Sequence, residues 1–172
     1  KGLQDIHVAE QYLVLCYDYS LQTLQKLAPD AEYVVLPSHA KGSELGRLLN
    51  LLLDNTLRIP QILTRYHCDV VYHLSCNNGF RKMPCISVEI PHDIKAISHR
   101  VLGSVKIPWY KYLIYRVLYA VDFALADYII AISDTDRGEI CHYFNRYKDK
   151  VVRIYNPIIT PEVNGRKSEQ KA

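Results

Sequence analysis

Six short apolar runs rich in Val, Ile and Tyr constrain the fold of this chain more than any other feature. They lie at 12–17 (YLVLCY), 33–36 (YVVL), 70–74 (VVYHL), 86–90 (ISVEI), 128–132 (YIIAI) and 151–155 (VVRIY). Each is nearly continuous rather than alternating, which is the pattern of strands buried on both faces of a parallel sheet. Between most of them the apolar residues shift to helical spacing. Residues 20–27 make one short helix. A longer one begins at Ser43 as N-cap and sets Leu45, Leu48, Leu49, Leu52 and Leu53 on one face. Pro60 fits the first turn of a further helical piece reaching about Tyr66, because a missing N–H costs nothing there. The longest helix spans 108–126, with Leu113, Ile114, Val117, Leu118, Val121 and Leu125 on one face, the pattern of a helix packed on a core. Another spans 134–145, acids near its start and Arg146 and Lys148 beyond its end, in accord with the helix dipole. Strand and helix alternate, so the expected fold is α/β: a Rossmann-like, doubly wound, mostly parallel sheet flanked by helices.

One joint breaks the rhythm. Leu74 and Ile86 are separated by 11 residues without helical pattern, whereas a parallel crossover usually needs about a dozen or more. Either the two strands are antiparallel, or an irregular loop joins them at a switch in strand order.

At 172 residues, 49% apolar and 23% charged, the chain is sized for one globular domain and is unlike a disordered segment. No apolar run approaches the roughly 18 to 20 residues of a bilayer span, and no signal-peptide pattern opens the chain, so a cytoplasmic location is expected. The chain starts at Lys1 and its one methionine is Met83, which suggests a processed product or a fragment. Five cysteines without a C-x-x-C pair argue against a disulfide framework or zinc ribbon and read as reduced thiols. A net charge of +3 is too mild to indicate wholesale nucleic-acid binding. The charge is uneven, however: residues 94–121 hold Lys95, Arg100, Lys106, Lys111 and Arg116 and no acid.

In open α/β sheets ligands bind beyond the carboxyl ends of the strands. Four such places carry polar residues: His39; Ser75 through Gly79; Pro91-His92-Asp93; and Ser133-Asp134-Thr135-Asp136. His92 is placed to donate to a substrate hydroxyl or phosphate, or else His92 or Asp93 caps the turn. Further ligands for a metal-binding His-Asp pair are absent, so no metal site is expected. Ser133 has the place of a helix N-cap, and Asp134 and Asp136 in the first turn repel an anion. Asn77 and Asn78 are turn formers whose location keeps them as acceptor-site candidates. There is no G-x-G-x-x-G after a strand, no Walker A sequence and no G-x-S-x-G elbow.

The basic stretch has two readings. Trp109, the one tryptophan, with Tyr110, Lys106 and Lys111 suits a membrane surface. Tyr112, Tyr115, Arg116 and Tyr119 form a second stripe off the aliphatic face, and a solvated basic face with tyrosines packed at its edge is the plainer reading. Nucleic acid ranks last, for want of a groove-reading motif.

Taken in order, the helix of Arg47, Ile59-Pro60, 68–73 (CDVVYH), 90–94 (IPHDI), 126–133 (ADYIIAIS) and 150–157 (KVVRIYNP) resemble the N-terminal half of family-4-type glycosyltransferases of the GT-B fold. The likeness covers about residues 11 to 158, leaving 159–172 as a polar tail. It implies the acceptor-binding domain of a retaining, hexosyl-type transferase that moves sugar from a nucleotide-sugar donor to a polysaccharide or lipid-linked glycan. No other cofactor is implied. By the resemblance His92 faces the donor sugar, while Asn77, Asn78, Asp93 and Ser133 line the acceptor side. Lys95, Arg100, Lys106, Trp109, Lys111 and Arg116 then meet a lipid-linked acceptor or the cytoplasmic membrane face. Pro157 stands where the family usually has glycine. The family's opening strand and glycine-rich loop, and its C-terminal donor-binding domain with an E-x7-E motif, are not in these residues. This chain alone is therefore expected to be inactive, and its open domain interface to favour a homodimer. The alternative is a non-catalytic α/β binding or interaction module.

Overall fold

The computed structural model describes residues 12–38, 44–74, 79–101 and 106–156. His39, Ser43, Ser75, Cys76, Asn77, Asn78, Pro157 and the tail 159–172 lie outside the described residues. Strands β1 (Leu13–Tyr17), β2 (Glu32–Leu36), β3 (Val70–His73), β4 (Ile86–Glu89), β5 (Tyr128–Ala131) and β6 (Val151–Arg153) fall on the six apolar runs. Helices α1 (Asp18–Leu27), α2 (Glu44–Leu53), α3 (Ile59–Arg65), α4 (Lys95–Val101), α5 (Trp109–Leu125) and α6 (Asp134–Tyr143) lie among them. The fold is α/β and Rossmann-like, with every strand pairing parallel. Among the described residues the strands form two sheets in place of one continuous sheet, β1–β2 and β3–β4–β5–β6, which meet where Leu15 packs on the cluster of Leu63, Val71 and Met83.

β3 and β4 pair in parallel, and residues 79–85 of their connection hold no helix. The antiparallel alternative is thus excluded, and since the sheet runs β3–β4–β5–β6 in chain order, no switch in strand order falls at this joint. Gly79 anchors this loop with φ at +79°, and the Phe80 N–H donates to Thr56 Oγ1 at 3.2 Å.

Thr56 belongs to a π-helical turn, Asp54–Arg58, that fuses α2 and α3 into one continuous run. Pro60 explains it: proline has no N–H for the residue four back, and a widened turn takes up the break.

Ladder register and side-chain alternation put Val71, His73, Ser87, Glu89, Ile129, Ala131 and Val151 on one face of the four-stranded sheet. Helices cover that face. Ile94, Ile97, Phe123, Ile140 and Phe144 close over Ile129, Ala131 and Val151, with the Phe123 and Phe144 rings edge to face at 5.1 Å. The other face carries Val70, Tyr72, Ile86, Tyr128 and Val152, all exposed.

The inward side of α5 meets only part of the expectation drawn from its spacing, for Leu118, Val121 and Leu125 are half-buried. Tyr112, Tyr119 and Phe123 pack into the core, and the Tyr119 hydroxyl donates to the Asp93 carbonyl at 3.3 Å. Leu113, Ile114 and Val117 are exposed. The helix is apolar on two sides, and the surrounding aromatic cluster of Phe123, Phe144 and Tyr147 takes the aromatic one.

Helix ends are closed by side chains. The Ser133 hydroxyl accepts from the Asp136 N–H at 3.0 Å, the N-cap read from the sequence. Lys150 Nζ donates to the carbonyls of Phe123, Ala124 and Ala126 at 3.1, 2.9 and 2.6 Å, sealing the end of α5. α6 stops at Tyr143, short of the expected 145, and a 3-10 turn at Asn145–Lys150 leads into β6. α4 was not anticipated, because seven residues are too few to display a period.

Candidate functional site

Since β3 to β6 run parallel side by side, their carboxyl ends share one edge. Two of the sequence-derived candidates stand on neighbouring strands there. β4 ends at Glu89, and after buried Pro91 the chain exposes His92 and turns at Asp93. Asp93 Oδ1 accepts from the Lys95 N–H at 3.1 Å and Oδ2 lies 3.6 Å from Lys95 Nζ, so Asp93 fixes the entry into α4 and leaves His92 at the solvent side. Beyond β5 comes Ser133, whose hydroxyl is held in the α6 cap.

The β6 side of the edge is closed by Asp134, which pairs with Arg153 and accepts from the Tyr155 hydroxyl at 2.8 Å. The Arg153 and Tyr155 hydrogen bonds hold the Asp134 carboxyl below the usual carboxylate range. Arg153 also lies over the Tyr155 ring, 4.9 Å from its centroid. The cation at this corner therefore already has its carboxylate.

Five further polar groups escaped the sequence reading, two at this edge and three at the end of β1, in the other sheet. His73 and Glu89 are register partners at the ends of β3 and β4, on the helix-covered face. Glu89 is wholly buried, and burial pushes the His73 imidazole down to about 4, so it is neutral at physiological pH. His73 Nε2 has no hydrogen-bond partner among the described residues. At the end of β1, Tyr17 donates its hydroxyl to buried Asp54 at 3.2 Å, and Arg58 Nη1 donates to the same carboxylate at 2.7 Å. Burial first, and then the Asp54 carboxylate, push the Tyr17 phenol up to about 12. Glu89 and His73 had a signal, namely an ionisable residue inside an apolar strand run. Tyr17 and Asp54 had none, being 37 residues apart in sequence.

At this edge His92 is exposed, while Asp93, Ser133 and Asp134 already hold partners within the fold. Among the described residues no group of three or more His, Cys, Asp or Glu is arranged to hold a metal ion. Asn77 and Asn78 follow β3 but lie outside the described residues.

Of the basic candidates, Lys95 is at this edge, paired with Asp93, and the others follow it in the chain. Lys95 and Arg100 are on α4, while Lys106, Trp109, Lys111 and Arg116 run into and along α5, all four exposed. Arg116 Nη1 donates to the Tyr112 hydroxyl at 3.0 Å. No helix among the described residues is long and apolar enough to cross a membrane. Comparison with protein-family models and with curated proteins finds no match to this chain.

Proposed function

We propose that this chain is the acceptor-binding half of a retaining glycosyltransferase that passes sugar from a nucleotide-sugar donor to a polysaccharide or lipid-linked glycan. The observation that supports the reading is the neighbouring position of two motif-bearing strand ends, His92 and Asp93 beyond β4 and Ser133 beyond β5. The resemblance to family-4-type transferases rests on the same two segments. Ligands of open parallel sheets gather at such an edge.

In this reading His92 contacts the donor sugar across a cleft whose far wall is a donor-binding domain. The acceptor oxygen attacks the anomeric carbon from the face that the diphosphate leaves. The bond from sugar to phosphate breaks, and the departing phosphate oxygen takes the acceptor proton. The protein's part is to orient the acceptor and to donate hydrogen bonds as charge develops.

The test uses the chain together with its donor-binding domain. His92→Ala should lower turnover by about 10²-fold or more with little change in folding; unchanged turnover removes His92 from the site. Turnover of sugar nucleotides by the 172-residue chain alone would reject the half-enzyme reading. If no donor-binding domain accompanies the chain in its source, the alternative of a binding module replaces it.

A further inference from the structure

α5 is apolar on two sides, and only one is covered. About 100° separates successive residues on a helical wheel, which puts Tyr112, Tyr119 and Phe123 together facing the core. Trp109, Tyr110, Leu113, Ile114 and Val117 gather on the side away from it. These five are 69%, 49%, 49%, 52% and 59% exposed. A helix apolar all round is ordinarily buried all round. Two cations border the outward stripe, Lys111 along one flank and Arg116 along the other, and Lys106 stands just before its N-terminal end. Residues 94–121 contain no acid.

We infer that the outward face of α5 docks onto an anionic lipid bilayer, with the helix lying in the plane of the interface. Charge complementarity selects this occupant. Cations on both borders of an apolar stripe reach phosphate oxygens while the stripe enters the acyl boundary, and their aliphatic stems extend the apolar surface. Trp109 at the end of the helix has the amphipathic ring that settles at headgroup level. A second copy fits less well, because a two-fold contact across this stripe returns Lys111 and Arg116 to the same set of cations. With 17 residues and three charges, Lys111, Arg116 and Asp122, the helix does not span. The inference does not depend on the glycosyltransferase reading, since it concerns a surface of this chain and is read without turnover.

The test is cosedimentation of the 172-residue chain with vesicles of phosphatidylcholine alone and with vesicles of about three parts phosphatidylcholine to one part phosphatidylglycerol. Trp109, the one tryptophan, supplies a second readout through its emission. The expected result is binding to the mixed vesicles with a blue shift of Trp109, weakened about tenfold or more between about 0.1 M and about 1 M salt. The triple variant Leu113→Ser, Ile114→Ser and Val117→Ser should lose about tenfold or more of that binding. All three side chains are exposed, so folding is retained, which circular dichroism checks. Lys106→Glu with Lys111→Glu and Arg116→Glu should abolish the preference for anionic vesicles with the apolar stripe intact. Absence of binding to the mixed vesicles overturns the inference. So does binding that survives the triple variant, which would move the contact elsewhere, including the exposed sheet face at Tyr72 and Tyr128. Self-association that the triple variant abolishes, without vesicle binding, would assign the stripe to a second copy and likewise overturn it.

Discussion

Glu89 is the register partner of His73 across the β3–β4 ladder, so a wholly buried carboxyl group and a largely buried imidazole stand side by side at the carboxyl edge of the sheet. Both interrupt runs that are otherwise apolar. Ionisable groups are rarely placed in such surroundings without a structural or functional reason.

His73 predicts a pH dependence of stability. In the unfolded chain the imidazole takes up a proton near its ordinary value of about 6.5, whereas burial in the fold delays this to about 4. Between those two values the unfolded state binds more protons, so stability falls as pH falls through the window and this contribution levels off below it. The loss is up to about 3 kcal/mol. Denaturant titrations at about pH 7.5 and about pH 5 should show about 2 kcal/mol of it, and His73→Gln should remove most of the difference.

Lys150 predicts a local loss. Its ammonium group closes three carbonyls at the end of α5, and Lys150→Met keeps the stem while removing the donors. Hydrogen bonds to a charged group are worth about 1.5–3 kcal/mol, and the variant should lose an amount in that range in chemical denaturation. An unchanged midpoint would show that water replaces the ammonium group at no cost.

Gly79 predicts a steric one. A Cβ at this position would lie 2.6 Å from Thr56 Oγ1 and 2.8 Å from the Thr56 nitrogen, on a backbone already at φ +79°. Gly79→Ala should cost about 1–3 kcal/mol and loosen the loop from the π-helical turn. Hydrogen exchange at the Phe80 amide, which bonds to Thr56 Oγ1, checks the second part.

His67 predicts a gain. It follows the C-cap Tyr66 with φ at 51°, and the His67 and Cys68 amides bond back to the carbonyls of Thr64 and Leu63 in a Schellman closure. Glycine adopts that backbone conformation without the Cβ clash. His67→Gly should raise stability by about 0.5–1 kcal/mol in thermal or denaturant unfolding. A loss would mean that the imidazole makes compensating contacts.

Much of the scaffold is legible in residue order. All six strands lie on the runs named from apolarity, because a strand buried in a parallel sheet announces itself within a few neighbouring residues. α5 is displaced from its predicted bounds by a single residue at each end, with Pro108 and Ala126 as its caps. His92 and Ser133 are legible as groups just past strand ends. Tyr17, Asp54 and Arg58 are not, because their meeting depends on β1 ending beside the π-helical turn, a relation that no local spacing records.

The sequence by itself determined the six strands and the longer helices, since periodicity and capping act over a turn or two of chain, while α4 was too short to declare itself. The tertiary structure alone decided which side of α5 is inside. Its aliphatic and aromatic sides are both apolar enough for a core, and the choice fell to the partners offered by α6 and the turn after it, where Phe144 and Tyr147 accommodate Phe123. Burial is a property of two surfaces together, so the spacing of one helix cannot assign it. The same reason divides the strands into two sheets and brings His73 to Glu89, residues that are 16 apart in the chain and adjacent only through the parallel ladder.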